Sequence, residues 1–413
     1  MQKNERGVPV HHHHPRSRLA AILLLSLGAL AMSASAQAQS SYTLSVLKPG
    51  ANDSKIATPL FIDAQSRVTS TTRFLTGYVF VPASFSFAPA YANFASRWAA
   101  TSSSSVAPTK LAGKNSSLFA TSSSGSKVVV HEGDYKLVDT ATNRSQALLP
   151  ADVVGNDTSR YLPRPSAVND AGWVAGSYVD GDVPYPTQLS EVSHAVLWRP
   201  GQRGETLPVS SDFVGAQAVV VNGSGVVAGQ IYEPATVIMR AAKWTQGVME
   251  VLERQPGKGS FPVAINNAGQ VLIGVMPATV LTVPTIDGGT RQDHAYGDAS
   301  YALVTNGVLT PIAPTVPGAV VAQALNASGT VVGRVGGRAF SGEPLAGSLG
   351  SRAFLWKNGV MSDLTTLVQS KGVKLPAGAV LENAVAINDL GSIVAVYRDA
   401  KNALVVVRLT AKP

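Results

Sequence analysis

The chain has 413 residues, of which 45% are hydrophobic and 14% charged, with a formal net charge of +8 and no cysteine. Disulfides are therefore excluded as a source of stability, and a packed core must hold the fold. Basic residues are scattered singly, without the clusters that line nucleic-acid grooves, so we expect no nucleic-acid partner. The length argues against one small domain, and the 38 Gly and 25 Pro suit an all-β chain rich in turns.

The N-terminus has the organisation of a secretion signal. Basic residues precede an apolar run at 19–31, and the segments 34–36 and 36–38 both fit the small-x-small cleavage rule. The run is short for a membrane span, which needs roughly 20 apolar residues. We predict a signal peptide at 1–38 and a mature chain at 39–413 that is secreted or periplasmic, monomeric and without a membrane span. The four histidines at 11–14 would be lost with the leader.

A ten-residue pattern recurs five times, and its form is apolar-Asn-x-x-Gly-x-apolar-apolar-Gly. Asn caps a turn through its side chain, and the following Gly takes the left-handed position that ends it. A type I turn followed by such a Gly is a common hairpin connection. Each copy therefore predicts a β-hairpin; the copies are AVNDAGWVAG at 167–176, VVNGSGVVAG at 220–229, AINNAGQVLIG at 264–274, ALNASGTVVG at 324–333 and AINDLGSIVA at 386–395.

A second element follows four of these copies and predicts another pair of strands. It reads HAVLWRPG at 194–201, AAKWTQGVMEVL at 241–252, YALVTNGVLTPI at 301–312 and RAFLWKNGVMSDL at 352–364. Trp198, Trp244 and Trp356 occupy the same place in it. A tryptophan repeated in register is typical of a core, because aromatic rings supply much of its buried area.

Weaker copies extend the series towards the N-terminus, with Asp63 and Asn115 in the Asn position and Trp98 in the Trp position. The repeat is then about 54 residues long, which suits a four-stranded propeller blade. We predict one closed β-propeller of seven blades, or six if the copy at 113–138 is false. The segment 41–47 would supply the last blade's missing strand and remove an open sheet edge. An open β-solenoid is the competing architecture, but the chain lacks the capping elements it needs.

The two elements resemble those of the HAF-repeat family of bacterial extracellular proteins. His194 to Trp198 and Arg352 to Trp356 match its His-Ala-Phe-Leu-Trp element, and 265–274 and 325–333 match its Ile-Asn-x-x-Gly element. The resemblance is good over 165–409 and weak over 41–140. It implies a location outside the cytoplasm and a propeller-like fold, and it implies no activity. His194 is replaced in other copies by Arg352, Ala241 and Tyr301, which argues against a catalytic role for that position.

No catalytic, nucleotide-binding or EF-hand motif occurs, so we predict a non-enzymatic binding or structural scaffold without a cofactor. The partner would be an extracellular protein or glycan. The alternative is a hydrolase or lyase that acts on polysaccharide through paired acids on converging loops. Carboxylates in two loops could also ligate calcium, although Asp-Gly turns are the commoner explanation; these loops contain Asp180 and Asp182, and Asp287, Asp293, His294 and Asp298.

Connection lengths predict which face of the propeller is functional. Both hairpin turns of a unit are tight and open on one face, whereas the long connections at 177–193, 231–239, 275–300, 334–351 and 365–383 fall on the other. Binding residues concentrate on variable loops held by a rigid scaffold. We therefore place the ligand-binding residues on the second face; the candidates are Asp180, Asp182, Tyr185, Glu233, Asp287, Asp293, His294, Tyr296 and Arg338.

Overall fold

A computed structural model describes most of the chain after residue 40. The described residues are 41–49, 55–81, 86–100, 108–151, 163–180, 192–234, 236, 238–284, 288–336 and 350–412. Residues 41–412 form one compact unit. The predicted leader at 1–38 lies outside the described residues.

The described residues form seven sheets, which confirms the prediction of seven blades. The first strand, β1 (Ser41–Val46), belongs to the last blade. Blade 1 contains β2 (Lys55–Ile62), β3 (Val68–Val81), β4 (Ser86–Trp98) and β5 (Thr109–Lys110). Blade 2 contains β6 (Ser117–Thr121), β7 (Lys127–Glu132), β8 (Asp134–Asp139) and β9 (Arg144–Ala147). Blade 3 contains β11 (Arg164–Val168), β12 (Val174–Asp180), β13 (Val192–Trp198) and β14 (Arg203–Thr206), with β10 (Leu149–Ala151) parallel to β14 at its outer edge.

The remaining blades follow the same order. Blade 4 contains β15 (Ala216–Val221), β16 (Val227–Tyr232), β17 (Met239–Thr245) and β18 (Val248–Val251). Blade 5 contains β19 (Lys258–Ile265), β20 (Val271–Pro284), β22 (Ser300–Thr305) and β23 (Val308–Pro311), with β21 (Thr290–Tyr296) paired to the far half of β20. Blade 6 contains β24 (Val320–Leu325), β25 (Val331–Val335), β26 (Arg352–Lys357) and β27 (Val360–Asp363). Blade 7 contains β28 (Leu381–Ile387), β29 (Ile393–Arg398), β30 (Leu404–Lys412) and β1.

A short helix, α1 (Leu364–Ser370), connects blades 6 and 7 within the segment predicted as a loop at 365–383. The carboxylate of Asp363 caps it by accepting a hydrogen bond from the Thr366 amide at 2.8 Å. Leu364 and Val368, on the inner side of this helix, are fully buried. No helix in the described part of the chain has the length and apolar character needed to cross a membrane.

The innermost strands close into a ring around a central channel. In order they are β2, β6, β11, β15, β19, β24 and β28; each contacts the next, and β28 contacts β2. β1 completes blade 7 by pairing with β30 from Ser41 opposite Lys412 to Val46 opposite Val407. The ring is therefore closed by the N-terminal strand, as the sequence predicts.

In blades 3, 4 and 6 the second glycine of the repeat lies beside a β-bulge of the innermost strand. In blade 4 the register shifts between Ala218 and Val220, which brings the backbone of β15 towards Gly229. A Cβ on Gly229 would lie 2.1 Å from the Gln217 carbonyl oxygen. The corresponding distances are 2.3 Å for Gly176 and 2.1 Å for Gly333. In these three blades the close approach of backbone therefore excludes a side chain.

Each repeat asparagine organises its own turn from a buried position. The Oδ1 atom of Asn222 accepts hydrogen bonds from the Ser224 and Val226 amides at 3.1 and 2.9 Å. Gly225 takes φ +80°, and its amide donates to the Asn222 carbonyl at 3.1 Å. The hairpin predicted from Asn-x-x-Gly is therefore confirmed, including its left-handed glycine.

The same asparagines also link neighbouring blades. Each Nδ2 atom donates to the backbone carbonyl of the residue at the Asn position of the next blade. The donor and acceptor pairs are Asn169 to Asn222 at 3.0 Å, Asn222 to Asn266 at 3.1 Å, Asn266 to Asn326 at 3.0 Å, Asn326 to Asn388 at 3.1 Å and Asn388 to Asp63 at 2.7 Å. We call this series the asparagine belt. It runs from blade 3 to blade 7 and on to blade 1, across the point where the ring closes.

Ser122, and not the predicted Asn115, holds the Asn position in blade 2. The Ser122 carbonyl accepts from the Gly125 amide at 2.9 Å, and its hydroxyl accepts from the Lys127 amide at 3.2 Å. Asn115 lies before β6, in the connection from blade 1, with φ +66°. The prediction was wrong because serine can form the same turn as asparagine. As a consequence, 128–138 forms the second and third strands of its blade.

Charged groups continue the belt where asparagine is missing. Asp63 has no side-chain donor, and Arg67 replaces it by pairing with Asp63 at 2.6 Å and donating to the Ser124 carbonyl at 2.8 Å. Ser124 in turn donates its amide to the Asp170 carboxylate of blade 3 at 2.9 Å. Hydrogen bonds therefore connect the turns of all seven blades.

The predicted tryptophans are core residues, and three of them also fasten the blade to the connection that precedes it. Trp98, Trp198, Trp244 and Trp356 are at most 3% exposed. Each lies opposite a valine of the second strand in its blade; these are Val68, Val174, Val227 and Val331. The indole N–H groups of Trp98, Trp198 and Trp244 donate to the carbonyls of Lys48, Leu149 and Pro208 at 2.7–2.8 Å.

Deletion of 41–47 should destabilise the whole ring, because β30 would lose its outer partner and become an exposed edge. We expect a clear fall in the midpoint of thermal and urea unfolding, measured by circular dichroism. Unfolding indistinguishable from that of the parent would contradict closure by β1.

Gly229→Ala should cost more stability than Gly247→Ala. The first adds a carbon against backbone, although the φ of Gly229 lies outside the left-handed region. The second adds a carbon in open space at φ +80°. We expect losses of about 2–3 kcal/mol for Gly229→Ala and about 1 kcal/mol for Gly247→Ala in urea unfolding. The reverse order would show that close approach does not explain this glycine.

Candidate binding face

The strand order gives the propeller two unlike faces. In every blade the first and second strands, and in blades 1 to 6 also the third and fourth, are joined at one face, which we call the turn face. The second and third strands, and successive blades, are joined at the opposite face, which we call the loop face. This follows from antiparallel pairing in the order of the chain, as in β15-β16-β17-β18. The asparagine belt lies at the turn face.

Two β-ribbons project from the loop face. Ribbon 1 is the far part of β3 and β4, where pairing continues from Phe74 opposite Ala92 to Val81 opposite Ser86, beyond the start of β2. Ribbon 2 is the far part of β20 with β21, paired from Ala278 opposite Tyr296 to Pro284 opposite Thr290. The predicted loop at 275–300 is therefore largely a hairpin.

The ribbons stand on nearly opposite sides of the ring. Ribbon 1 belongs to blade 1 and ribbon 2 to blade 5, so they are three blades apart one way and four blades apart the other. Both emerge at the face opposite the belt, and the mouth of the central channel lies between them. This arrangement forms the most prominent feature of the described part of the loop face.

Two predicted site residues, Glu233 and Tyr296, lie near each other at the base of ribbon 2. The Tyr296 hydroxyl accepts a hydrogen bond from the Met239 amide of blade 4 at 2.9 Å. Burial raises the pKa of Tyr296, and the nearby carboxylate of Glu233 acts in the same direction. Gly259 makes room for the ring, since a Cβ there would lie 2.5 Å from Tyr296 Cε1. Tyr296 therefore packs ribbon 2 against the neighbouring blade.

Arg240 is the centre of this cluster, although the sequence analysis did not select it. Its guanidinium pairs with Glu233 at 2.7 Å and with Glu253 at 3.1 Å, and it donates to the Gln255 carbonyl at 2.9 Å. Its side chain is 7% exposed, and that of Glu253 is 1% exposed. The buried Arg240 guanidinium thus forms ion pairs with both carboxylates.

A signal for Arg240 was present in the sequence. The register places it four residues before Trp244, as His194 stands before Trp198 and Arg352 before Trp356. The equivalent residue in blade 5 is Ser300, because Val304 holds the Trp position there. The alignment of Ala241 and Tyr301 with His194 was therefore wrong by one residue. Counting back from tryptophan would have found Arg240.

His294 and Asp293 lie on opposite faces of ribbon 2, because neighbouring residues of a strand alternate. The His294 ring contacts the Tyr296 ring with centroids 4.5 Å apart, and its buried Nδ1 atom makes no hydrogen bond with the described residues. The Asp293 side chain is 42% exposed; its Oδ1 atom accepts from the His294 amide at 2.8 Å and lies 4.0 Å from His294 Nδ1. His294 therefore joins the Tyr296 cluster, and the Asp293 carboxylate turns back towards the His294 ring.

The other predicted site residues do not join this cluster in the described structure. Asp180 is the last residue of β12 in blade 3, opposite Val192, where the chain leaves the sheet at the loop face. Asp182, Tyr185, Asp287 and Arg338 lie outside the described residues. Among the residues that are described, no three His, Asp or Glu side chains approach one another as metal ligands do. Asp298 is exposed in the short connection between β21 and β22, at the base of ribbon 2.

The central channel ends at the turn face in a cavity. This cavity of about 290 Å³ is lined by residues of all seven innermost strands and their turns. Its rim includes Asn169, Asn222, Asn266 and Asn388, whose side-chain amides are already engaged in the belt. Polar groups at this end therefore hold the blades together.

No protein-family model matches the chain, and no curated protein sequence matches it. Similar solved structures include Porphyromonas gingivalis dipeptidyl peptidase 4, at 12% identity over 82% of this chain and 49% of that one, with a TM-score of 0.43. A puromycin-hydrolyzing peptidase of Mycobacterium tuberculosis is 10% identical over 89% of this chain and 55% of that one, with a TM-score of 0.48. YCF48 bound to D1 peptide is 10% identical over 90% of this chain and 97% of that one, with a TM-score of 0.44.

This chain thus spans about half the length of either peptidase. At these identities and TM-scores, the similarities assign no activity, ligand or partner to it.

Arg240→Ala should destabilise the protein strongly, because it would leave the buried Glu253 without its cation. We expect a loss of about 3–5 kcal/mol in urea unfolding. Lys243→Ala, on the same strand, removes an exposed pair with Glu250 and should cost no more than about 1 kcal/mol. Equal losses for the two variants would show that the Arg240 cluster does not support blade 4.

Proposed function

We propose that this chain is a secreted or periplasmic repeat protein of the HAF type that binds an extracellular ligand on its loop face. The observation that carries the proposal is the pair of ribbons that rise from this face on nearly opposite sides of the channel. Two projections on the same face suit a large ligand, because they can contact it at more than one place. The rigid ring beneath holds both projections in place.

The turn face is the less favourable place for a ligand. Its asparagines use their side-chain amides within the belt, and the five Asn-x-x-Gly turns have the same length and a glycine at φ +75° to +80°. A ligand bound there would have to compete for hydrogen bonds that already connect the blades. The loop face carries the ribbons and the Arg240 cluster, and it varies from blade to blade.

We propose binding without turnover. In the described part of the loop face, the carboxylates of Glu233 and Glu253 pair with Arg240, which holds them as a structural unit. A glycosidase instead needs one carboxylic acid and one free carboxylate on either side of the scissile bond. The pairing with Arg240 therefore favours a scaffold over the polysaccharide hydrolase or lyase.

Shortening each ribbon tests the proposal. Replacing 76–90 with Asn-Gly would join Leu75 to Tyr91, and replacing 279–295 with Asn-Gly would join Ala278 to Tyr296, in both cases between residues that already pair. We expect either variant to lose binding to polysaccharide or protein fractions of the bacterial envelope and culture medium. Binding is measured by pull-down with the mature chain, and folding by thermal unfolding.

The matched control changes the turn face. Val248, Val308 and Val360 are 64–70% exposed beside the outer turns of blades 4, 5 and 6, so Val→Ser changes there should leave both the fold and binding intact. Loss of binding in this control, with retention in both ribbon variants, would place the ligand on the turn face. Turnover of a glycan or ester, abolished by one Asp→Ala change, would favour the hydrolase or lyase instead.

A further inference from the structure

Three polar residues form a row across blade 1 at the base of ribbon 1. Lys55 of β2 lies opposite Arg73 of β3, and Arg73 lies opposite Asn93 of β4. Residues paired in this way share one face of a sheet. All three are exposed, so their side chains are available at the loop face. We call Lys55, Arg73 and Asn93 the basic row.

The basic row carries two positive charges, on Lys55 and Arg73. In the described part of the chain, no carboxylate pairs with either of them. Arg67, Arg240 and Arg352, by contrast, each pair with a carboxylate at 2.6–2.7 Å. Both cations of the basic row are therefore available to an anionic ligand.

An aromatic ring holds one of these cations. The guanidinium carbon of Arg73 lies 4.1 Å from the centre of the Tyr91 ring, within the range of a cation–π contact. This contact fixes the plane of the guanidinium while leaving its N–H groups for a ligand. A planar guanidinium can take both oxygens of a carboxylate, which a lysine cannot do with the same geometry.

The basic row opens into a cavity between blades 1 and 2. The cavity measures about 590 Å³, which lies within the size range of small-ligand sites. Lys55, Arg73 and Asn93 line one side. Ser117, Leu118 and Phe119 of β6 line the other. The cavity therefore presents cations and hydrogen-bonding groups opposite an apolar wall.

We propose that this surface binds an acidic polysaccharide, with a uronic acid residue at the basic row. Arg73 and Lys55 would take the sugar carboxylate, Asn93 and Ser117 its hydroxyls, and Tyr91 and Phe119 the apolar faces of its rings. This inference rests on ligand binding at the loop face and names the class of ligand. Sugar rings that have an apolar face, several hydroxyls and a negatively charged carboxylate match the groups that the surface presents.

Calorimetric titration with oligogalacturonate tests this assignment, with a neutral oligosaccharide of equal length as comparison. Removal of both cations in Lys55→Gln/Arg73→Gln should weaken binding about tenfold or more, because charge-assisted hydrogen bonds are lost. Arg73→Lys should give an intermediate loss, because it keeps the charge without the planar group. The neutral oligosaccharide should bind more weakly and respond little to either change.

The control removes two equal charges from the turn face through Arg144→Gln/Lys357→Gln, and it should bind oligogalacturonate as the parent does. Equal losses in the two double variants would show general charge attraction and overturn the site. So would a parent that fails to bind oligogalacturonate, or stronger binding of polyglutamate or single-stranded DNA than of oligogalacturonate. A ligand that depends on ribbon 1 but not on Lys55 and Arg73 would overturn this inference while leaving loop-face binding in place.

Discussion

The closed ring depends on a side-chain amide that is both donor and acceptor. In each full repeat, Asn Oδ1 holds its own turn and Nδ2 reaches the backbone of the next blade, as in Asn222. The repeat asparagines are 3–5% exposed, so losing either bond would leave a buried polar group unpaired. Such a loss costs about 1–3 kcal/mol. Asparagine is therefore required by two simultaneous bonds, and the turn alone would accept aspartate or serine.

Blades 1 and 2 show what happens when one of those bonds is absent. Asp63 and Ser122 complete their turns, but neither reaches the next blade as asparagine does. Arg67 and Asp170 supply the connection from other positions, with charged groups replacing the amide. The chain thus conserves the contact between blades while changing the residue that makes it. This explains why the repeat is difficult to recognise in the N-terminal third.

Much of the fold could be predicted because its signals are local and repeated. Asn-x-x-Gly marked the turns, tryptophan marked the core, and the unpaired segment at 41–47 marked the closure. Ribbon 1 could not be predicted in the same way, because its length depends on β2 beginning only at Lys55, whereas the pairing of β3 with β4 extends beyond that point. Ser122 was missed because serine is common in turns and loops. Repeats therefore reveal the scaffold more readily than the insertions that distinguish one blade from another.

The candidate site was predicted in part for the same reason. The variable connections at 231–239 and 275–300 include Glu233 and Tyr296, whereas Arg240 lies within a strand and was passed over as part of the repeat. The row of Lys55, Arg73 and Asn93 comes from three separate strands, so only the register brings it together. The place of a residue within the repeat can therefore help to identify a site residue, as a departure from the repeat can.

The central claim is that the turn face holds the blades together and that the loop face binds the ligand. Hydrogen exchange tests this claim most directly. The amides of Val226, Gln270, Thr330 and Ser392 donate to the belt asparagines and should exchange slowly with or without ligand. On addition of a ligand-containing envelope fraction, the account predicts new protection in peptides from the ribbons, at 74–81, 86–94, 278–284 and 290–296. New protection confined to the Asn-x-x-Gly turns, with both ribbons unchanged, would contradict it.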